Sequence, residues 1–215
     1  KAELEDVRNQ WRWVDRITDP DIFDCFLSAA VSIKNERDYR RIFPVQVSII
    51  AEILIVNKLL KPFKETLKSE GIKTYELDDK KKKGWRWEKG RPRDPYEVVK
   101  KFLYGGRFHS PGLGQWGIFL SDSNDNYIVE KTKLKLFEDF RDYLKVIPEE
   151  QRTMWSDDKF IKQLKKLARA RNKSAHNSVA DMSEVKAIHH LLINDEGKPG
   201  ILLQAFGFFP EFHGR

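Results

Sequence analysis

The segment that most constrains the fold is the apolar run from Val45 to Leu60, the longest in the chain. Pro44 precedes it, and proline is favoured at the first position of a helix. Polar residues interrupt the run, so it is read as a long core helix and not as a membrane span. Pro62 is expected to bend or restart this helix, and Gly71 to end the region. The interrupting residues are Gln46, Ser48, Glu52, Asn57 and Lys58.

Apolar residues spaced by three and four predict helices on both sides of this core segment. Two amino-terminal helices are expected, at Ala2–Arg16 and, after the start signal Asp19-Pro20-Asp21, at Ile22–Lys34. A later helix should begin at Asp157-Asp158. Its apolar stripe is Phe160, Ile161, Leu164, Leu167 and Ala168. Three more helices are predicted, at about 94–103, 133–146 and 183–192.

One region departs from the helical pattern. Gly105 to Gly117 is predicted to be a glycine-rich turn, followed by a short hairpin that pairs Ile118–Leu120 with Tyr127–Val129. The spacing of Gly112, Gly114 and Gly117 matches the dinucleotide-binding fingerprint, but no βαβ unit surrounds it, so that function is rejected. The predicted fold is therefore all-α, with at most one small β-hairpin.

Length and composition bound the class of protein. The 215 residues suit a single domain, 1–215, with an aromatic carboxyl-terminal segment, 198–215, packed on the body or on a partner. One cysteine, Cys25, excludes an internal disulfide framework and a cysteine zinc site, and a cytoplasmic location is expected. No Asp, Glu or His grouping has metal-ligand spacing, so neither a metal nor a cofactor is expected. The chain starts without methionine, which is compatible with a piece of a longer protein.

Positive charge is concentrated in one segment. Between Lys80 and Arg93 there are eight basic residues and one acidic residue, Glu88. The net charge of this segment, +7, equals that of the whole chain. An exposed basic insertion at about 72–94 is therefore predicted, with tryptophans able to stack on unpaired RNA bases. A solvated loop whose indoles pack on the body, or a site for an acidic partner, are the alternatives. The candidate RNA-binding residues are Lys80, Lys81, Lys82, Lys83, Trp85, Arg86, Trp87, Lys89, Arg91 and Arg93.

The strongest functional motif lies at the end of the helix that Asp157-Asp158 begin. Arg171, Asn172 and His176 combine a phosphate-binding cation with a side chain that titrates near neutral pH. Arg171 continues the apolar row and is expected to point toward the packed side or a partner. Arg169, Asn172 and His176 share a face in an unbroken helix, so Arg169 is an alternative phosphate contact. The alternative without a catalytic function is a basic helix end whose positive charges interact favourably with the helix dipole.

This segment resembles the HEPN superfamily, whose hallmark is an arginine four to six residues before a histidine, often with a polar residue after the arginine. The resemblance implies a HEPN-like helical bundle and a metal-independent endoribonuclease that acts as a homodimer with a composite site. Arg171, Asn172 and His176 would be catalytic, and single-stranded RNA would be cleaved through its 2′-hydroxyl to 2′,3′-cyclic phosphate and 5′-hydroxyl ends. The resemblance also implies a role in antiviral defence, abortive infection or a toxin–antitoxin pair.

Two other functions stay open. The chain could be a non-catalytic helical module that binds RNA or protein within a larger defence assembly, or a regulator that is bound by an antitoxin or modified by a nucleotide. Because an unrestrained nuclease is toxic, an inhibitor, an antitoxin, a closed dimer or a larger assembly is expected to restrain it. No membrane partner is expected.

Overall fold

The computed structural model describes residues 2–69, 99, 102–103, 112–132, 135–175, 178–205 and 207. Of these residues, 84% are helical and none lies in a strand, so the described part confirms the all-α prediction. An isolated antiparallel bridge between Ile193 and Pro199 is its one trace of β pairing. The predicted basic insertion, 72–94, and nearly all of the aromatic segment beyond residue 205 lie outside the described residues.

The amino-terminal helix is shorter than predicted. Helix α1, Ala2–Gln10, stops before Trp11, and a 3-10 helix follows at Arg12–Arg16. Trp11 and Trp13 both pack edge-on against Phe26, with ring centroids 6.0 and 5.0 Å away. In an unbroken α-helix these indoles would point about 200° apart. The break is what lets both of them reach the same ring.

Two short polar caps define the next helices. Asp19 accepts hydrogen bonds from the backbone of Asp21 and Ile22, both at 3.1 Å, and begins α2 at Pro20–Ser32, close to the predicted position. Asn35 caps α3, Glu36–Arg41, in the same way. Cys25, on α2, is partly buried against the core as expected, and burial raises the pKa of its thiol.

The predicted core helix is present and longer than expected. Helix α4, Phe43–Leu54, continues as a π-helical stretch, Ile55–Leu60, and then as α5, Lys61–Ser69. Pro62 was expected to bend or restart the helix; it does not restart it, because the run Phe43–Ser69 is continuous, and the bend stays a prediction. Proline lacks the amide that would bond to the carbonyl four residues earlier, and the widened turn before it accommodates that loss.

By length and composition alone, the helical run Phe43–Ser69 could cross a membrane, and it is the one such helix in the described part of the chain. The core helix of a soluble protein meets the same criteria. In this molecule 56% of its most apolar window is buried against other helices.

The predicted glycine turn and hairpin are wrong where the structure describes them. Helix α6 spans Leu113–Asn124, and α7 spans Asn126–Thr132, so both predicted strands are helical. Glu52 of α4 accepts a hydrogen bond from the Leu113 amide at 3.4 Å and places a carboxylate at the start of α6. Gly112 donates its amide to Gln115 Oε1 at 3.0 Å. The fingerprint glycines thus begin a helix with no described strand before it.

The remaining helices largely follow the prediction. Helix α8, Lys135–Val146, covers the described part of the helix predicted at 133–146, and α9, Glu149–Ser156, has no predicted counterpart. The stripe predicted for α10 is buried at all five positions. Of the helix predicted at 94–103, only 99, 102 and 103 are described, and they are helical. The bounds are Lys135–Val146 for α8, Glu149–Ser156 for α9, Asp158–Ala175 for α10, Met182–Leu192 for α11 and Ile201–Ala205 for α12.

Helix α4 lies at the centre and packs against α2, α3, α6, α10 and α11. Helix α10 packs against α4, α6 and α11, so its apolar stripe is enclosed on three sides. The two ends of the chain also meet, because Trp13 Nε1 donates to the Gly197 carbonyl at 2.8 Å. Gly197 has a φ of +69°, which glycine adopts without strain. This arrangement holds the end of α10 against the body.

Candidate functional site

Helix α10 is rigidly placed but leaves one side in solvent. Its apolar residues are buried, and Asp157 caps its first turn by accepting the Lys159 amide at 2.9 Å. Among the polar residues of its last two turns, Arg169, Arg171 and Asn172 are exposed, whereas Ser174 is buried. The motif therefore lies on a fixed element with its described side chains free to meet a ligand.

Arg171 was expected to point toward the packed side or a partner, and the first of these two directions is wrong. It does not continue the buried row toward the packed side, since its side chain is exposed. The buried row passes instead from Leu167 to Ala170 and Ser174, because the last turn of α10 packs against the end of α3. Arg171 Nη1 donates to Asn172 Oδ1 at 3.4 Å, which turns the guanidinium toward the Asn172 side of the helix.

Arg40, in α3, fixes the chain on both sides of the motif histidine. Its carbonyl accepts from Ser174 Oγ at 3.2 Å and from the Ala180 amide at 3.3 Å. Its guanidinium Nε donates to the Ala180 carbonyl at 2.8 Å. One residue thus joins the last turn of α10 to the segment that follows.

Lys173 forms a second clamp, between the end of α10 and the start of α11. Its Nζ lies 3.0 Å from Asp181 Oδ2 and 2.9 Å from Glu184 Oε2. Hydrogen bonding to Glu184, and then to Asp181, raises the pKa of Lys173, while Lys173 lowers the pKa of Asp181. Lys173 therefore has a structural role. Among the described residues at the carboxyl end of α10, the cations that remain for a ligand are Arg169 and Arg171.

Helix α10 is described up to Ala175, the residue before His176. The backbone amide and the hydroxyl of Ser178 both donate to the Lys173 carbonyl, at 3.2 and 2.5 Å. This closure joins the positions on either side of His176 and Asn177, which lie outside the described residues. The structure therefore brings Arg171 and Asn172 together, and Arg169 is exposed three residues before Asn172.

The other predicted site residues are not tested by the fold. The candidate RNA-binding segment from Lys80 to Arg93 lies outside the described residues. Among described residues, no group of three or more His, Cys, Asp or Glu side chains is placed to hold a metal ion.

The sequence analysis missed a polar pair in the core next to Arg40. In this pair His189 is partly buried, whereas the neighbouring His190 is exposed. Tyr39 hydroxyl lies 2.7 Å from His189 Nδ1, and the imidazole stacks on Phe43 at 5.2 Å. Burial raises the pKa of Tyr39 to about 12 and lowers the pKa of His189, so a neutral hydroxyl shares this hydrogen bond with a neutral ring. No local motif links residues 150 positions apart.

Comparisons with models of known protein families, with curated proteins and with solved structures find no match to this chain. The likeness to the HEPN superfamily in the Arg171–His176 motif therefore stays a prediction from the sequence.

Proposed function

We propose that this chain is a metal-independent endoribonuclease of the HEPN type, with Arg171, Asn172 and His176 at its active site. The observation that carries the proposal is the state of Arg171. Its guanidinium is exposed on an anchored helix end, bonded to the neighbouring Asn172, and no described carboxylate pairs with it. An unpaired arginine next to an amide is suited to hold a phosphodiester.

Each residue has a defined role in this chemistry. His176 transfers protons as general acid or base, because an imidazole titrates near neutral pH. Arg171 neutralises the negative charge that develops on the phosphorus oxygens, and Asn172 orients either the phosphate or the arginine. The RNA 2′-hydroxyl is the nucleophile, so the products carry a 2′,3′-cyclic phosphate and a 5′-hydroxyl. DNA lacks that hydroxyl and is not cleaved.

The proposal includes partners and context. The Lys80–Arg93 segment steers single-stranded RNA by its charge and its two indoles. Two copies contribute motifs to a shared cleft, and an inhibitor, an antitoxin or a larger assembly restrains the enzyme in a cytoplasmic defence system.

The decisive experiment is cleavage of an end-labelled single-stranded RNA in the presence of EDTA. Wild type should cleave it and leave cyclic phosphate ends, while Arg171→Ala and His176→Ala should each lower the rate at least about 100-fold, the usual contribution of a general acid–base group. Asn172→Ala should have a smaller effect, because it removes an orienting group only.

Matched control variants are Arg37→Ala and His190→Ala. Arg37 is exposed on the neighbouring α3, and His190 is the exposed histidine of α11. Both should cleave like wild type. Absence of cleavage, or equal cleavage by wild type and His176→Ala, would instead favour a helical module that binds RNA or protein without catalysis.

A further inference from the structure

A row of basic side chains runs along the exposed side of α10. Lys159, Lys162, Lys166 and Arg169 follow one another at spacings of three, four and three, and all four are exposed. Such spacing places them on one face of the helix, over about 15 Å of its length. We call these four residues the basic row.

The basic row carries uncompensated charge. None of its four residues forms an ion pair with any described residue. Elsewhere in the described chain exposed cations are often paired within one helix or across neighbours, as in Arg8–Asp15, Lys34–Asp6, Lys68–Glu65, Lys145–Asp142 and Lys198–Glu196. Helix α10 as a whole contains seven basic residues and one acidic residue, Asp158. Like charges at these spacings repel one another and weaken an isolated helix.

The helix dipole explains only part of this arrangement. Basic side chains are favourable in the last turn of a helix and unfavourable in the first. Arg169 lies near the carboxyl end, but Lys159 and Lys162 lie in the first two turns of α10. By this criterion Lys159 costs stability and Lys162 gains none, so the helix dipole does not account for either position.

The geometry points to a track for single-stranded RNA: we propose that the basic row binds successive phosphates and leads the strand toward Arg171 and Asn172. The row ends at Arg169, which is three residues from Asn172 and on the adjoining part of the helix surface. Single positive charges repeated along a straight line match a backbone that carries one negative charge per nucleotide. Only the delivery of the strand to a catalytic site rests on the proposed function; binding by the row does not.

The test is binding of a fluorescent 2′-O-methyl oligonucleotide, which keeps every phosphate but cannot be cleaved through its 2′-oxygen. One variant combines Lys159→Gln, Lys162→Gln, Lys166→Gln and Arg169→Gln. Glutamine keeps helix propensity and solubility. For single-stranded nucleic acid, each phosphate contact contributes about 0.7 to the slope of log affinity against log salt. Removing four contacts should therefore reduce the magnitude of this slope by about three. Affinity at 0.1 M salt should fall by at least about tenfold.

The control variant removes the same charge from other exposed positions, again one arginine and three lysines. Its slope of log affinity against log salt should differ from that of wild type by no more than the contribution of about one phosphate contact. An equal loss of affinity in both variants would mean that overall charge does the binding, and would overturn the proposal. The proposal would also be overturned if polyglutamate displaced the oligonucleotide as effectively as unlabelled RNA does. That result would indicate an acidic protein partner. The control substitutions are Arg12→Gln, Lys58→Gln, Lys131→Gln and Lys186→Gln.

The failure of this proposal is separable from the failure of the proposed function. His176→Ala should bind the oligonucleotide with the wild-type salt slope. If the basic-row variant loses binding but no protein cleaves RNA, the track stands and the nuclease does not. If wild type cleaves RNA and the basic-row variant binds it as tightly, the nuclease stands and the track is wrong. Thermal unfolding by circular dichroism verifies that every variant is folded.

Discussion

The pair formed by Tyr39 and His189 makes the stability of the molecule depend on pH. Burial lowers the pKa of His189 below its ordinary value of 6.5, so the folded state holds the neutral ring. The unfolded chain then binds more protons in acid, and stability should fall as pH drops from 6.5 through the folded-state pKa. The slope should stay under about 1.4 kcal/mol per pH unit, the limit for one proton. Urea unfolding between pH 7.5 and 5 measures it.

Two variants isolate the cause of this dependence. His189→Asn keeps an acceptor near the position of Nδ1 but does not titrate, so this part of the acid loss should disappear. Tyr39→Phe should retain the acid loss, because burial is the leading cause of the shift at His189 and the hydroxyl is not. An unchanged slope in His189→Asn would show that another group is responsible.

At the scale of elements, one glycine determines whether α11 and α12 can pack. A Cβ on Gly200 would lie 2.5 Å from the carbonyl oxygens of His190 and Leu191, which are backbone atoms that cannot move away cheaply. Gly200→Ala should therefore lower the free energy of unfolding by about 1–3 kcal/mol or more. At Gly112 nothing lies within 4 Å of the added carbon, so Gly112→Ala should cost under about 1 kcal/mol. Denaturant melts of the two variants give the comparison, and equal costs would contradict it.

Glycines also explain why α6 was predicted wrongly from the sequence. The run from Gly112 to Gly117 is typical of a turn, yet it forms the start of α6. A Cβ on Gly117 would lie 2.9 Å from Lys165 Cγ, so glycine lets α6 approach α10 closely. Packing between helices that are distant in sequence overrides local preference here. The stripe of α10 was predictable because its period is local. The exposure of Arg171 was not, because the contact of Ser174 with Arg40 of α3 decides which side of the last turn is buried.

At the scale of the whole molecule, the proposed shared cleft predicts a link between association and activity. Sedimentation should show a dimer at concentrations that cleave RNA. On dilution below the dimer dissociation constant, the rate per chain should fall, since each cleft needs two motifs. Arg171→Ala and His176→Ala should remain dimeric, because both positions would lie at the cleft without holding the copies together. A monomer with full activity per chain would exclude the composite site while leaving the nuclease itself intact.

The contacts of Arg40 also set an order of events during synthesis. Its partners Ser174 and Ala180 lie 134 and 140 positions later in the chain. At about 5–20 residues per second, a ribosome needs several seconds to a half-minute to add that length. The helices up to α5 can pair while translation continues, but the end of α10 has no fixed position until both partners have emerged. A newly made copy of the chain therefore lacks an assembled candidate site until residue 180 has been added, and a product truncated before that point never acquires one.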